Sequence, residues 1–295
     1  MKFAFVHKSY GRVGGTEGVM ANLARGFRSR GHVVDLYVAE SRDPSVRFIR
    51  LLGRRASGLP SLALLLSSWV RLLGRASSYD QVMHFGRTGP RGLYRAGGGC
   101  YRALDELQQL RTRRLGARLL RRLSVARWLR LWHERRAVQS KDCLIVVPSE
   151  RARQDLIRCY GPAAQKVRVL HNGVDTERFR PARRWAERSQ ARAAFGIPDD
   201  AQCLLFLGSD PWRKGLDVVF DALSRLGCEQ SVYLLVLGCR RWPSWVRRRV
   251  TQHGIEGRVT LGGEVTDSMD AYAAADLLVL PTRQDPFANV TLEAL

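Results

Sequence analysis

Three short segments carry residue types and spacings that suit chemistry on a phosphorylated ligand. The first is Gly14-Gly15, between an apolar run at Phe3–Val6 and a helical pattern from Glu17 to Ser29. Glycines at such a turn let the backbone approach a phosphate, and the helix behind them offers N–H donors and the positive end of its dipole. A tight strand-to-helix turn also needs glycine for its own geometry, so the pair alone serves either purpose. The second segment is FLGSDPWRKGLD, Phe206–Asp217. It sets Gly208 and Ser209 at the carboxyl end of a strand and Arg213-Lys214-Gly215 at the start of a helix. Two cations there would neutralise a nucleoside-diphosphate leaving group as its bond to a sugar breaks. A merely solvated Arg-Lys pair is the less comfortable alternative, because the helix dipole disfavours cations at that end. The third is QDPFANVTLEAL, Gln284–Leu295, with Asp285 in a loop and Glu293 about a turn into a helix that starts near Asn289. A carboxylate that accepts two hydroxyl hydrogen bonds suits a ribose, and one in the loop suits a sugar ring. A turn aspartate and a helix-start acid without function have the same spacing.

Some chemistries lack their residues. No Asp-x-Asp occurs, so the usual carboxylate pair for a metal-bound diphosphate is missing. The sequence therefore predicts no metal site and leaves charge neutralisation to Arg213 and Lys214. Cys100, Cys143, Cys159, Cys203, Cys228 and Cys239 show neither C-x-x-C nor zinc spacing. They read as reduced thiols of a cytosolic protein.

The elements that must position these residues follow from the apolar runs. Phe3–Val6, Val33–Val38, Asp80–Phe85, Cys143–Val147 and Val167–Leu170 read as strands. Glu17–Ser29, Leu104–Val138 and Ser149–Cys159 read as helices. Strand, glycine loop, helix and strand at the start make a βαβ unit, hence a doubly wound parallel sheet with ligands at its carboxyl edge. Asn172–Arg192, with Pro181, many charges and no apolar period, reads as a linker. A second βα series follows, with strands at Cys203–Leu207, Val232–Leu237, Val259–Leu261 and Leu277–Leu280. Helices fall at Leu216–Leu226, Trp245–His253 and Met269–Ala275. The expected fold class is α/β, with two doubly wound, Rossmann-like domains facing across a cleft, residues 1–180 and 181–295. The second is expected to be incomplete, because a doubly wound domain normally continues past a helix such as Asn289–Leu295.

Charge is distributed unevenly over the 295 residues. Residues 1–180 hold 35 Lys and Arg against 13 Asp and Glu, whereas residues 181–295 hold 14 of each. A one-sided positive field attracts nucleic acid, anionic lipid or a phosphorylated substrate. Arg outnumbers Lys 44 to 5, and a coding bias could exchange one for the other but leaves the asymmetry unexplained. Within Arg102–Lys141, 12 basic residues face 3 acidic ones and interleave with Leu104, Leu107, Leu110, Leu115, Leu119, Leu123, Trp128 and Trp132. That mixture suits an anionic bilayer surface, while an amphipathic helix packing its leucines on a sheet gives the same pattern. Both can hold at once. The N-terminus lacks a signal-peptide pattern. The run Leu59–Leu73 is broken by Pro60, serines and Arg71 and falls short of the ~20 residues that span a bilayer. It reads as a packed helix, and the protein as cytoplasmic, peripherally associated with the inner membrane.

Taken together, these motifs resemble the family 4 retaining glycosyltransferases, which have the GT-B fold, and within them the enzymes that add hexoses to the lipopolysaccharide core. The resemblance covers nearly the whole chain. It rests on GGTEGVMANLARGFRSRGHVVDLYV (Gly14–Val38), VVPSERARQDLIRCYG (Val146–Gly161), HNGVDTERFRP (His171–Pro181), LGSDPWRKGLD (Leu207–Asp217), AAADLLVLPT (Ala273–Thr282) and DPFANVTLEAL (Asp285–Leu295). It implies transfer of a hexose from a nucleotide sugar, UDP-glucose or similar, to a lipid-linked saccharide, with retained anomeric configuration and no cofactor. By the same resemblance Gly15 sits at the donor's phosphates and sugar, Arg213 and Lys214 hold the diphosphate, Glu293 binds the ribose and Asp285 the transferred sugar. The backbone amides of Ala288, Asn289 and Val290 face the phosphates. The family commonly has Glu where Asp285 stands, which bears on sugar preference. Front-face attack without a protein nucleophile is implied, the departing phosphate taking the acceptor's proton. Tyr94–Tyr101 aligns with a loop that can carry an Asp, where this chain has Gly98. His84, at a strand end, is the candidate replacement base, and a satisfied loop histidine is the competing reading. The family continues past Leu295, so the resemblance implies a C-terminally shortened chain. Two rivals remain: a basic nucleic-acid-binding protein, which would need interleaved aromatics or a recognition helix that the sequence does not display, and a related epimerase or phosphorylase. An epimerase would need an acid/base pair beside the anomeric carbon, and none is identifiable.

Overall fold

A computed structural model describes residues 1–10, 15–41, 48–50, 78–88, 91–111, 116, 123–226, 231–265 and 267–295. The packed helix expected at Leu59–Leu73 lies outside them, as do Gly14, Leu115, Leu119 and Cys228. Two compact units divide the chain, Met1–Asn172 and Gly173–Leu295.

In the first unit β1 (Lys2–Tyr10) runs through the centre, with Ala4, Phe5 and Val6 fully buried. Burial on both faces is why these residues form a continuous apolar run without alternation. α1 (Gly15–Ser29) turns Met20, Ala21 and Ala24 inward, with Glu17 in its first turn and Arg28 in its last, each suited to the helix dipole there. β2 (Val33–Ser41) returns parallel to β1, Phe3 opposite Val34. β3 (Ile49–Arg50), β4 (Gln81–His84) and β5 (Gly92–Arg95) follow. Next come α2 (Tyr101–Arg111), α3 (Val125–Gln139), β6 (Cys143–Val147), α4 (Glu150–Tyr160) and β7 (Arg168–Val169). Among the described residues the strands order as β3-β2-β1-β4-β5-β6-β7, all pairs parallel. The order reverses between β1 and β4, and in such sheets ligands bind outside the carboxyl ends at that switch point.

Among the described residues, the helical stretch expected over Leu104–Val138 includes α2 and α3. Ser124 caps the second, its Oγ accepting from the Arg127 N–H at 3.4 Å. The start of α2 is capped from a distance. Glu134, on α3, accepts the backbone N–H groups of Tyr101 (2.7 Å) and Arg102 (3.1 Å), the Tyr160 hydroxyl (2.8 Å) and the Arg87 guanidinium (3.2 Å). One buried carboxylate thus ties together α2, α3, α4 and the β4–β5 connection.

The second unit corrects the linker expected at Asn172–Arg192. Pro181–Phe195 is a helix, α5, with Pro181 at its N-terminal position and Gly196 at φ +66° closing it. Apolar periodicity fails there because part of its inner face is an arginine. Arg192 is fully buried, and donates to the carbonyls of Ala274, Pro198 and Asp199 and to Asp276 Oδ2 at 2.7 Å. Burial alone would raise the Asp276 pKa, but the Cys203 N–H, Arg188 and Arg192 outweigh it and hold the group below its ordinary value. Residues 173–180 belong to this unit as well: Arg178 pairs with Asp267 at 2.7 Å and Phe179 meets Tyr272 edge-on. The division therefore falls eight residues before the expected 180/181 boundary.

Four parallel strands follow among the described residues, in the order β10-β9-β8-β11: β8 (Gln202–Leu207), β9 (Val232–Leu237), β10 (Val259–Leu261) and β11 (Leu277–Leu278). Their connecting helices are α6 (Leu216–Arg225), α7 (Ser244–His253) and α8 (Met269–Ala274), and α9 (Asn289–Ala294) comes last. α6 buries Leu216, Val219, Phe220 and Leu223, the three-and-four spacing of one helix face.

Candidate active site

The carboxyl edge of the second sheet brings two of the three chemistry-bearing segments together. After β8 the chain makes the turn Pro211–Lys214 and enters α6 through Gly215, at φ +84°. A Cβ on Gly215 would fall 2.0 Å from the Pro281 carbonyl oxygen, so only glycine lets this turn lie against the segment after β11. The contact is fastened on both sides. The Arg213 carbonyl accepts from the Arg283 N–H (2.9 Å) and the Thr282 hydroxyl (3.1 Å). The Arg213 guanidinium donates to the Gln284 carbonyl at 2.8 Å and stands 3.6 Å from Asp285 Oδ2. Lys214 Nζ donates to the same Asp285 oxygen. The other oxygen of Asp285 takes the Phe287 N–H at 3.2 Å.

The two cations and Asp285, assigned by sequence to different parts of a ligand, are therefore one ion cluster. All three side chains are mostly buried, which strengthens their mutual attraction relative to water. An ammonium has three donors, and the bond to Asp285 uses one of them. Gly208 lies beneath: a Cβ there would meet Lys214 Cγ at 3.1 Å, so its bareness makes room for the lysine stem.

Glu293 on α9 is held from the side. Its Oε2 accepts from the Tyr272 hydroxyl at 2.8 Å and the Ser268 hydroxyl at 3.4 Å. Burial, with the carboxylate beside it, pushes the Tyr272 pKa up, so that hydroxyl stays a donor. Ala288 sits immediately before α9, and Asn289 and Val290 open its first turn.

In the first unit Gly15 begins α1 and is exposed. His84 departs from expectation. It ends β4, but is only 4% exposed, and its Nδ1 is paired with the buried Thr88 hydroxyl at 2.8 Å. Burial pushes its pKa down to about 4. A general base must come within hydrogen-bond reach of the proton it takes, and an enclosed ring already paired to Thr88 does not. This is the geometry of the competing reading, a satisfied histidine. The same edge holds residues that the sequence did not single out. His7 Nε2 stands 3.9 Å from Glu17 Oε1, which also accepts from Ser9 Oγ at 2.9 Å. Burial lowers the His7 pKa. Arg95 ends β5, nearly buried.

The basic segment keeps large apolar groups at the surface. Trp128 and Trp132, one turn apart on α3, are 61% and 50% exposed, and Leu110, Leu123 and Val125 are also exposed. The Arg127 and Arg136 guanidinium groups lie over the two indoles at 5.7 and 5.4 Å. No helix among the described residues is long and apolar enough to cross a membrane.

Residues 13–178 match the family model Glycosyltransferase Family 4, and residues 201–295 match Glycosyl transferases group 1. An uncharacterised glycosyltransferase of Methanocaldococcus jannaschii is 25% identical over 157 residues, 52% of this chain and 40% of that protein. D-inositol 3-phosphate glycosyltransferase 1 of Catenulispora acidiphila is 32% identical over 173 residues, 55% of this chain and 40% of that protein. The matched region thus spans less than half the length of these relatives. Among solved structures, WaaG, a glycosyltransferase involved in lipopolysaccharide biosynthesis, superposes with TM-score 0.79 at 24% identity, over 99% of this chain and 78% of WaaG. Anabaena HepE, in complex with UDP and glucose, superposes with TM-score 0.72 at 18% identity, over 100% of this chain and 78% of HepE. These likenesses establish the fold: α/β with parallel sheets, of the GT-B type.

Proposed function

Because this chain belongs to Glycosyltransferase Family 4, we propose that it moves a hexose from a UDP-sugar, UDP-glucose or similar, to a lipid-linked saccharide such as the lipopolysaccharide core. The anomeric configuration is retained and no metal takes part. The observation that carries this reading is the ion cluster of Arg213, Lys214 and Asp285 at the carboxyl edge of the second sheet. Lys214 keeps spare donors for a diphosphate, and the bareness of Gly208 lets phosphate and lysine share the space above β8. Arg213 and Lys214 neutralise the leaving group, which is where charge grows in the transition state. The amides of Ala288, Asn289 and Val290, at the start of α9, face the phosphates. Glu293 takes the ribose and Asp285 a hydroxyl of the transferred sugar. The departing phosphate takes the acceptor's proton. HepE, of the same fold, has been crystallised with UDP-glucose, which supports the choice of nucleotide.

Calorimetric titration of the full chain with UDP, GDP and ADP tests this. UDP is expected to bind in the micromolar range, about −8 kcal/mol, with GDP and ADP weaker. Absence of binding by all three to a folded sample would defeat the reading, and a shift on DNA at physiological salt without any on UDP would replace it with nucleic-acid binding.

The acceptor reading includes a cytoplasmic protein resting on the inner membrane through residues 102–141. The exposed indoles of Trp128 and Trp132 among arginines support it, since such side chains favour the headgroup region of an anionic bilayer. The full chain is expected to co-sediment with anionic phosphatidylglycerol vesicles at low salt and to stay in solution with neutral ones. A Trp128→Ser, Trp132→Ser double variant should lose most of that binding. Equal sedimentation of the variant would remove the segment from the account.

A further inference from the structure

Two arginines among the described residues are nearly or fully buried, and they differ in what compensates them. Arg192 is met by Asp276 and three backbone carbonyls. Arg95, 7% exposed at the end of β5, has the side-chain oxygen of Asn172 as its hydrogen-bond partner and, among the described residues, no carboxylate in ion-pair range. A guanidinium carries five donors in a planar fork, and a buried one is normally paired with an anion. Arg95 therefore has donor capacity that the described residues leave unused. Burial holds its pKa down to about 10, so it is still a cation at neutral pH.

Its surroundings are built for a small ligand. The chain from Arg95 continues through Ala96 into Gly97-Gly98-Gly99. A Cβ on Gly97 would fall 2.5 Å from Arg95 Nη1 and 3.6 Å from the Thr16 hydroxyl. The fork thus lies against a loop with no side chains, close to the first turn of the fifteen-residue helix α1. Gly98 is exposed, with open space where a side chain would be. Glu17, the acid of that turn, is engaged by Ser9 and lies beside His7, and forms no ion pair with Arg95. A buried fork, a hydroxyl and a helix N-terminus converge at the carboxyl edge of the sheet beside its switch point.

We propose that Arg95 anchors an oxyanion site in the first unit, which takes a phosphate or carboxylate group of the acceptor. The site stands on the geometry above. Its assignment to the acceptor rests on the transferase reading, in which the donor's diphosphate already has Arg213 and Lys214.

Thermal melting of the full chain with inorganic phosphate tests the proposal, because a ligand that binds the folded state raises the melting point with concentration. The wild type and Lys214→Ala are both expected to show the rise. Arg95→Gln is expected to lose it while melting, without phosphate, no lower than the wild type, since a buried cation lacking an anion has been removed. Repeating the titration with glucose 6-phosphate and with glucuronate shows which oxyanion is preferred. UDP affinity should be unchanged in Arg95→Gln. A phosphate effect that survives Arg95→Gln would overturn the proposal, as would a lower phosphate-free melting point in that variant. Loss of UDP binding on Arg95→Gln would assign the anion to the donor and overturn the acceptor role. An Arg95-dependent phosphate effect in a wild type that binds no UDP would keep the site and remove the transferase reading.

Discussion

Replacing Lys214 with alanine is expected to lower kcat/KM for sugar transfer by about 10²–10³-fold, the usual cost of losing one preorganised charge-stabilising donor. Two effects combine. The ammonium meets a phosphate whose negative charge increases as the glycosidic bond breaks, so its loss weighs more on the transition state than on the bound donor. Its removal also leaves Asp285, 9% exposed in its side chain, with Arg213 at 3.6 Å as the remaining counter-ion. Lys214→Arg separates the two effects. The guanidinium keeps the charge but lies in a plane, so it should restore stability more fully than turnover. Steady-state kinetics with a UDP-sugar, read beside thermal melts, checks both. A Lys214→Ala enzyme with unaltered kcat/KM would remove the cluster from the chemistry.

Glu134→Ala is expected to have the largest effect on folding, about 3–5 kcal/mol, as for removing one partner from a buried, hydrogen-bonded charge. Its carboxylate is 1% exposed and satisfies two N–H groups at the start of α2, a tyrosine hydroxyl and the Arg87 guanidinium. The Tyr101 N–H would be left buried without its acceptor, and the other three partly buried without theirs. At about 2–4 °C per kcal/mol for a unit of this size, the melting point of the first unit should fall by about 6–20 °C. The second unit, which shares none of these contacts, should melt where it did. A calorimetric scan resolves the two transitions. Unchanged melting of the first would show that α2 does not depend on this cap.

Much of this architecture was legible in the amino-acid order, for a physical reason. Val232–Leu237 is covered on both faces, so it reads as an unbroken apolar run, and the run coincides with the strand. β5 was not legible: Gly92-Leu93-Tyr94-Arg95 has two apolar residues between a glycine and an arginine, and pairs because its neighbours β4 and β6 provide the edges. α5 was read as linker because its buried Arg192 is satisfied by Ala274 and Asp276, far along the chain, and by two carbonyls just past the helix. On the candidate site, Arg213-Lys214 and Asp285 were identifiable as charged groups at strand ends, but their meeting was not, since it depends on Gly215 lying against Pro281. Arg95 had no signal of its own. In a chain with 44 arginines, a buried one resembles the rest.

The clasp between the Arg213 turn and the Asp285 loop joins residues 71 positions apart. Closing so long a loop costs chain entropy before any contact repays it, and contacts of this kind form late. During synthesis the two cations are exposed to solvent without their carboxylate until the chain has been made through residue 285. Under the transferase reading, a nascent chain that has folded only β8, α6 and β9 carries the charges proposed to meet the diphosphate without the carboxylate that aims them.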